Sequence, residues 1–263
     1  MTPPKSARAV IIGGGVIGCS VAYHLIKRGW QDVVLLERKR LTSGTTWHAA
    51  GLVAQLRASS NMTRLAKYTM ELIRDLADET GVETGFRRTG SMTVAKTEDR
   101  LEEIRRQASM ARVFGVEVEE ISLADAKAHY PHLNVADLKG AVHLPNDGQA
   151  DSANVALALA KGARMGGAQI IEQTRVTAIH QNDGAVTGVD WIADGGTHGS
   201  IKADYVVNCG GMWGREVGLM AGVSVPLQAC EHFYIVTEPI DNLQQLPVLR
   251  VPDECAYYKE DAG

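Results

Sequence analysis

Three glycines at fixed spacing, Gly13, Gly15 and Gly18, follow the apolar run Ala9-Val10-Ile11-Ile12 and open a stretch of helical character. In a Gly-x-Gly-x-x-Gly turn the first glycine permits a tight bend, the second lets a pyrophosphate approach the backbone, and the third lets helix and strand pack closely. Alone the pattern is weak. Here Glu37 ends a second apolar run, Val33-Val34-Leu35-Leu36, at the distance of about twenty residues where an acid accepts the hydroxyls of an adenosine ribose. The first helical turn, Val16, Ile17 and Gly18, offers backbone N–H groups and a positive dipole end to phosphates. The context of strand, turn, helix, strand and acid argues for an adenine dinucleotide and against an idle glycine-rich turn.

The fingerprint alone does not separate FAD from NAD. What separates them is the segment Leu41-Thr42-Ser43-Gly44-Thr45-Thr46-Trp47-His48-Ala49-Ala50-Gly51-Leu52. A flavin dinucleotide is long and needs a second cradle of small and hydroxyl residues through which the backbone reaches pyrophosphate and isoalloxazine.

The run Ser43-Gly44-Thr45-Thr46-Trp47-His48-Ala49-Ala50-Gly51, after a strand ending in Glu37-Arg38, resembles the dimethylglycine and sarcosine dehydrogenases, amine-oxidising flavoenzymes of the D-amino-acid-oxidase-like superfamily. The resemblance extends over essentially the whole chain, including the Asn208 to Trp213 segment and Tyr257-Tyr258-Lys259-Glu260. It implies FAD joined covalently to His48, whose neutral imidazole nitrogen suits attack on the 8α methyl group; the plainer alternative is a loop histidine that donates a hydrogen bond. It also implies that the backbone at Val176 faces the adenine, that Gly210 either allows close approach to the cofactor or belongs to an ordinary strand-to-helix turn, and that Trp213 either covers the flavin or fills core. His232 and Tyr258 are the implied catalytic residues, on strands lining the cavity over the flavin, with the Tyr257–Tyr258 register open by one; the plainer alternative for each is a satisfied core or surface residue.

The implied reaction is oxidation of an N-methylated amino acid, with hydride passing to flavin N5 and an iminium forming. Relatives usually carry a C-terminal folate-binding part, and this fold returns a last flavin-contacting segment after the substrate sheet. The sequence is therefore expected to be an N-terminal portion and, by itself, a poor catalyst. Two other readings stay open: a noncovalent FAD-dependent amino-acid dehydrogenase or oxidase, and a truncated, noncatalytic flavin-binding fragment.

The elements that must position these residues follow from periodicity and punctuation. The expected class is α/β: a Rossmann-like FAD/NAD(P)-binding domain with a βαβ start, residues 1–85 and 146–222, plus part of a mixed-sheet α+β substrate domain, residues 86–145 and 223–263. The βαβ start runs Ala9–Ile12, Val16–Arg28 and Val33–Leu36. Amphipathic spacing of Leu65, Tyr68, Leu72 and Leu76 predicts a helix over Asn61–Thr80. Further helices are expected at Glu98–Phe114, N-capped by Thr97, and after Asp151 or Ser152 up to Gly166-Gly167. Strands are expected at Gly90–Ala95, Gly140–Leu144, Gln169–Glu172, Arg175–Ile179, Val186–Ile192, Tyr205–Asn208, Pro226–Thr237 and from Ala256.

Composition narrows the class. With 27 Lys and Arg against 31 Asp and Glu, the formal charge of −4 leaves no concentrated basic surface for nucleic acid. The four cysteines, Cys19, Cys209, Cys230 and Cys255, fall singly, without the close pairs of a zinc site or redox dithiol, so no metal is expected and the thiols fit a reducing compartment, taken as cytoplasmic. Lys5 and Arg8 before the apolar run, with Cys19 beyond, imitate a secretory signal, but the pattern continues uninterrupted into helix, turn and strand. Three glycines and His24 likewise break residues 9–26 as a membrane span.

Overall fold

The computed structural model describes residues 2–260 except 242 and 244. In chain order its elements begin β1 (Ser6–Ile12), α1 (Val16–Lys27), β2 (Val33–Leu36), β3 (Leu52–Val53), α2 (Ser60–Thr80), β4 (Ser91–Ala95) and α3 (Glu98–Val113). There follow β5 (Glu119–Ile121), α4 (Leu123–His129), β6 (Gly140–Leu144), β7 (Gly148–Gln149), α5 (Ser152–Met165), β8 (Gln169–Ile171) and β9 (Thr174–Asn182). Last come β10 (Ala185–Ala193), β11 (His198–Asn208), α6 (Gly214–Met220), β12 (Val248–Val251) and β13 (Ala256–Tyr258). The chain divides into two compact units: residues 1–50, 75–84 and 151–232, and residues 51–74, 85–150 and 233–263.

The first unit is built on a six-stranded sheet, β8-β2-β1-β11-β10-β9, in which β8, β2, β1 and β11 run parallel and β10 and β9 continue antiparallel. The four residues of β2 are all buried, as a strand between two parallel neighbours requires. One core joins Val10, Val34 and Leu36 to Val189, Trp191 and Ile201. Helices α1 and α5 meet at a small residue: a Cβ on Gly162 would lie 2.8 Å from the Tyr23 ring, so only glycine lets the helices approach this closely. Helix α5 is capped as expected, Asp151 accepting the Asn154 N–H at 2.9 Å.

The second unit carries a five-stranded mixed sheet, β13-β12-β4-β6-β5, with β12 parallel to β4 and the remaining pairs antiparallel. Leu101, Ile104 and Ala108 of α3 bury one face against Val142 and Leu144, and Thr97 caps that helix. Met92, Val94, Ala141, Leu249 and Val251 form a further core with Ala126, Leu133 and Leu138.

Two expectations are corrected. Helix α2 forms, but its buried positions include Ile73 and Leu76, while Leu65 and Tyr68 are 55% and 42% exposed. The expected strand Pro226–Thr237 does not form: residues 223–240 contain no regular element, and Phe233 and Ile235 are 91% and 90% exposed. Apolar, β-branched composition describes a chain fit for a ladder; a ladder also needs a partner edge, and this run belongs to no sheet among the described residues.

Candidate functional site

The first unit brings most of the sequence-predicted cofactor residues to the C-terminal ends of β1, β2 and β11, where open α/β sheets bind ligands. Strand β1 ends at Ile12, and Gly13 turns away with φ +112°, a conformation L side chains rarely adopt. A Cβ at Gly13 would stand 2.3 Å from the Cys209 carbonyl oxygen, and one at Gly18 would stand 1.9 Å from the Gly13 carbonyl oxygen. Both would clash with backbone, so the fingerprint glycines are required sterically. At Gly15 an added Cβ would meet the Thr46 hydroxyl at 3.0 Å.

Helix α1 begins without a side-chain cap at Gly15 and without an acid in its first turn. Beyond the Val16 N–H, which the Thr46 hydroxyl takes, the remaining N–H groups of this positive end suit an external anion. Glu37 closes one side: Oε2 accepts the Gly14 N–H at 2.6 Å and Oε1 the Lys39 N–H at 2.8 Å. These bonds fix the carboxylate at the end of β2 while leaving it further lone pairs for ribose hydroxyls. The Gln173 and Thr174 N–H groups donate to the Lys39 and Glu37 carbonyls at 2.7 and 2.8 Å, so β9, with Val176 on it, starts beside Glu37.

The second cradle joins the first through Thr46, whose buried Oγ1 accepts the Val16 N–H at 3.0 Å. Thr46, Trp47 and His48 form one 3-10 turn with Thr45 before it and Ala49 and Ala50 after. The Trp47 and His48 rings lie 3.6 Å apart at a 36° tilt, and both side chains are exposed. The Arg38 guanidinium sits 3.9 Å over the Trp213 ring, and Trp213 also approaches Gly44, where a Cβ would be 3.5 Å away. Asn208 fixes the neighbouring turn, accepting from the Gly210 N–H at 3.1 Å and donating to the Gly214 carbonyl at 2.7 Å. Ser43 is exposed on the connecting loop. Burial pushes the Cys19 thiol up to about 12 and that of Cys209 up to about 11, so neither is a ready nucleophile.

The remaining predicted residues fall on other elements. Gly51 and Leu52 belong to the second unit, where Leu52 pairs with Gln149. His232 lies exposed in the irregular 223–240 segment, not on the strand expected to carry it. Tyr258 ends β13 in the second unit, 47% exposed, beside Tyr130, whose phenol is pushed up by burial and then by the Tyr258 charge.

Two contributors and one contact escape sequence reasoning. Gly14, a variable position of the fingerprint, supplies the N–H that grips Glu37. Glu172 accepts the Leu41 N–H at 2.6 Å and so anchors the start of the second cradle. Thr46 was legible as a cradle residue, but its bond to Val16 was not, because spacing along the chain carries no signal for a contact between loop and helix.

The FAD dependent oxidoreductase family matches residues 8–262 of the chain. Mitochondrial sarcosine dehydrogenase of Homo sapiens is 44% identical over 259 residues, which cover 97% of this chain and 28% of that protein. The mitochondrial pyruvate dehydrogenase phosphatase regulatory subunit of Mus musculus is 45% identical over 241 residues, 91% of this chain and 27% of its own length. Among solved structures, L-proline dehydrogenase from P. horikoshii superposes with a TM-score of 0.86 at 25% identity, over 99% of this chain and 68% of that one. The chain thus spans less than a third of the length of these curated relatives.

Proposed function

The chain belongs to the FAD dependent oxidoreductase family, and on that premise we propose that it is the cofactor-binding portion of an enzyme oxidising an N-methylated amino acid of the sarcosine or dimethylglycine kind. The observation that carries the reading is the joined cradle: the glycine turn, the start of α1, the Glu37 carboxylate and the Thr46-Trp47-His48 turn in one unit. These residues fit FAD, which when bound supplies the acceptor for the substrate's hydride. The first turn of α1 would hold the diphosphate, Glu37 the ribose, and the backbone at Val176 the adenine. His48 is the residue that would tether the group covalently through a ring nitrogen; Gly210 and Trp213, on the turn after β11, would line it.

The substrate amine must bind uncharged, since a protonated nitrogen has no lone pair to stabilise the developing positive carbon. Tyr258 Oη, and secondly a ring nitrogen of His232, are proposed to polarise the amine or take its proton. Capture of the released one-carbon unit by folate belongs to this reading as a task for residues outside the chain. No helix among the described residues is long and apolar enough to cross a membrane, and the cytoplasm is the proposed compartment, checked by cell fractionation.

The test is reconstitution of the purified protein with FAD, then anaerobic addition of sarcosine or dimethylglycine. Bound flavin that bleaches supports the reading, and a protein that takes up no FAD sinks it. Flavin fluorescence that stays with the band on a denaturing gel, and leaves it in His48→Ala, supports the tether. Loss from both proteins favours a noncovalent amino-acid dehydrogenase or oxidase. The 45% identity to a protein named a regulatory subunit favours a second reading, a flavin-binding unit without substrate oxidation; FAD uptake with no bleaching by any N-methylated amino acid, even over long anaerobic incubation, is the outcome it expects.

A further inference from the structure

We infer that Thr46 is a positioning residue: its hydroxyl locks the turn carrying Trp47 and His48 to the first turn of α1, making the two halves of the cradle one rigid element. The inference deepens the FAD reading and rests on it for its functional consequence. Its geometry stands independently. Thr46 is 6% exposed and its Oγ1 accepts the N–H of Val16, the first helical residue of α1. That N–H is one of the four donors that a helix start leaves without an internal partner, and a side chain at the cap position reaches the second or third helical N–H instead of this one. Thr46 meets it from thirty residues away, Val16 to Thr46. Gly15 is part of the device, because a Cβ there would press on the Thr46 hydroxyl at 3.0 Å.

A hydroxyl that accepts one hydrogen bond still has its own proton to donate. Beside a helix start, the acceptor this proton suits is the anion that the helix end attracts. Anchoring and binding then reinforce each other: the turn is fixed before the cofactor arrives, so less order has to be created on binding.

The experiment compares wild type, Thr46→Ser and the near-isosteric Thr46→Val. In FAD-free protein, amide hydrogen exchange at Val16 and through residues 46–48 is expected to rise about fivefold to tenfold in the valine variant, the loss expected of one hydrogen bond, and to stay within about twofold in the serine variant. Affinity for FAD is expected to follow the same order, weakening about tenfold in Thr46→Val. Wild-type exchange and wild-type FAD affinity in a folded Thr46→Val protein would overturn the inference. So would a serine variant as impaired as valine, which would assign the effect to the methyl group. Should Thr46→Val fail to fold, Thr46→Ala takes its place in both measurements. Wild-type protein that binds no FAD would defeat the functional reading, and the exchange arm would still decide the anchoring.

Discussion

The opening β1-α1-β2 region and the stretch 223–240 use similar materials and end differently. Val33-Val34-Leu35-Leu36 and Phe233-Tyr234-Ile235-Val236 are both four-residue runs of large apolar side chains, rich in strand formers. The first is buried throughout, hydrogen-bonded to β1 on one side and β8 on the other. The second is exposed at every position and belongs to no sheet. Apolar content makes a strand possible; a hydrogen-bonded neighbour makes it a strand. The same rule governs the cradle, where Gly14, Val16 and Lys39 have found acceptors in side chains far along or across the turn.

The comparison breaks most visibly if the tight region tolerates a side chain it has no room for. Gly18→Ala would gain about 1 kcal/mol of helix propensity, yet its Cβ would lie 1.9 Å from the Gly13 carbonyl oxygen. The steric term wins because the obstacle is backbone: a net loss of about 3 kcal/mol is expected, read from urea denaturation, with FAD uptake lost alongside. An alanine variant as stable as wild type would show that the turn can relax.

A paired substitution sharpens the contrast. Ile11 is fully buried in β1, and Ile235 is 90% exposed. Ile11→Ala is expected to cost about 3 kcal/mol and Ile235→Ala less than about 0.5 kcal/mol. Comparable losses at the two sites would mean that 233–236 finds a partner in solution.

This contrast also explains what was legible in the sequence. The limits of β2 and β6 could be read directly, since short buried runs between turn residues leave little choice. The fingerprint glycines and Glu37 could be read because each has a local steric or ionic reason. Helix α6 was hidden by Gly214 and Gly218, which lower helix propensity, and β12 by its brevity between Pro247 and Pro252. His232 was assigned to a strand because alternation shows only what a segment could do. Tyr258 lies on a strand as expected, but its chemical role depends on surroundings that no spacing specifies.

Replacing Glu37 by Gln is a smaller perturbation of the cradle. The carboxylate holds the N–H groups of Gly14 and Lys39 on its two oxygens, and an amide offers only one acceptor oxygen. The exchange of charge-assisted for neutral hydrogen bonds is worth about 1 kcal/mol, so FAD affinity is expected to fall about fivefold to tenfold, measured by flavin fluorescence quenching. An unchanged affinity would remove Glu37 from the ribose site.

The smallest effect asks whether partners suffice for a buried charge as they do for a buried strand. Asp147, in the second unit, is 1% exposed; its Oδ1 accepts the Gln55 N–H at 2.9 Å and its Oδ2 the Ser91 hydroxyl at 2.7 Å. Burial nonetheless pushes its carboxyl above the ordinary aspartate range, because desolvation of the charged form outweighs these hydrogen bonds. A carboxyl whose folded pKa is raised contributes stability that is fully present below its unfolded pKa and is lost as pH rises through the folded value. Asp147→Asn keeps an acceptor for the Gln55 N–H, and its amide donates to a reoriented Ser91 hydroxyl. The stability of wild type minus that of Asp147→Asn is therefore expected to fall as pH climbs from acid through the raised pKa, by at most about 1.4 kcal/mol per pH unit, and then to level. Urea midpoints for both proteins across that range measure the difference, which cancels the other carboxyls. A difference that grows in favour of wild type with rising pH would mean that the hydrogen bonds outweigh burial, and that partners settle the charge as completely as they settle the strand.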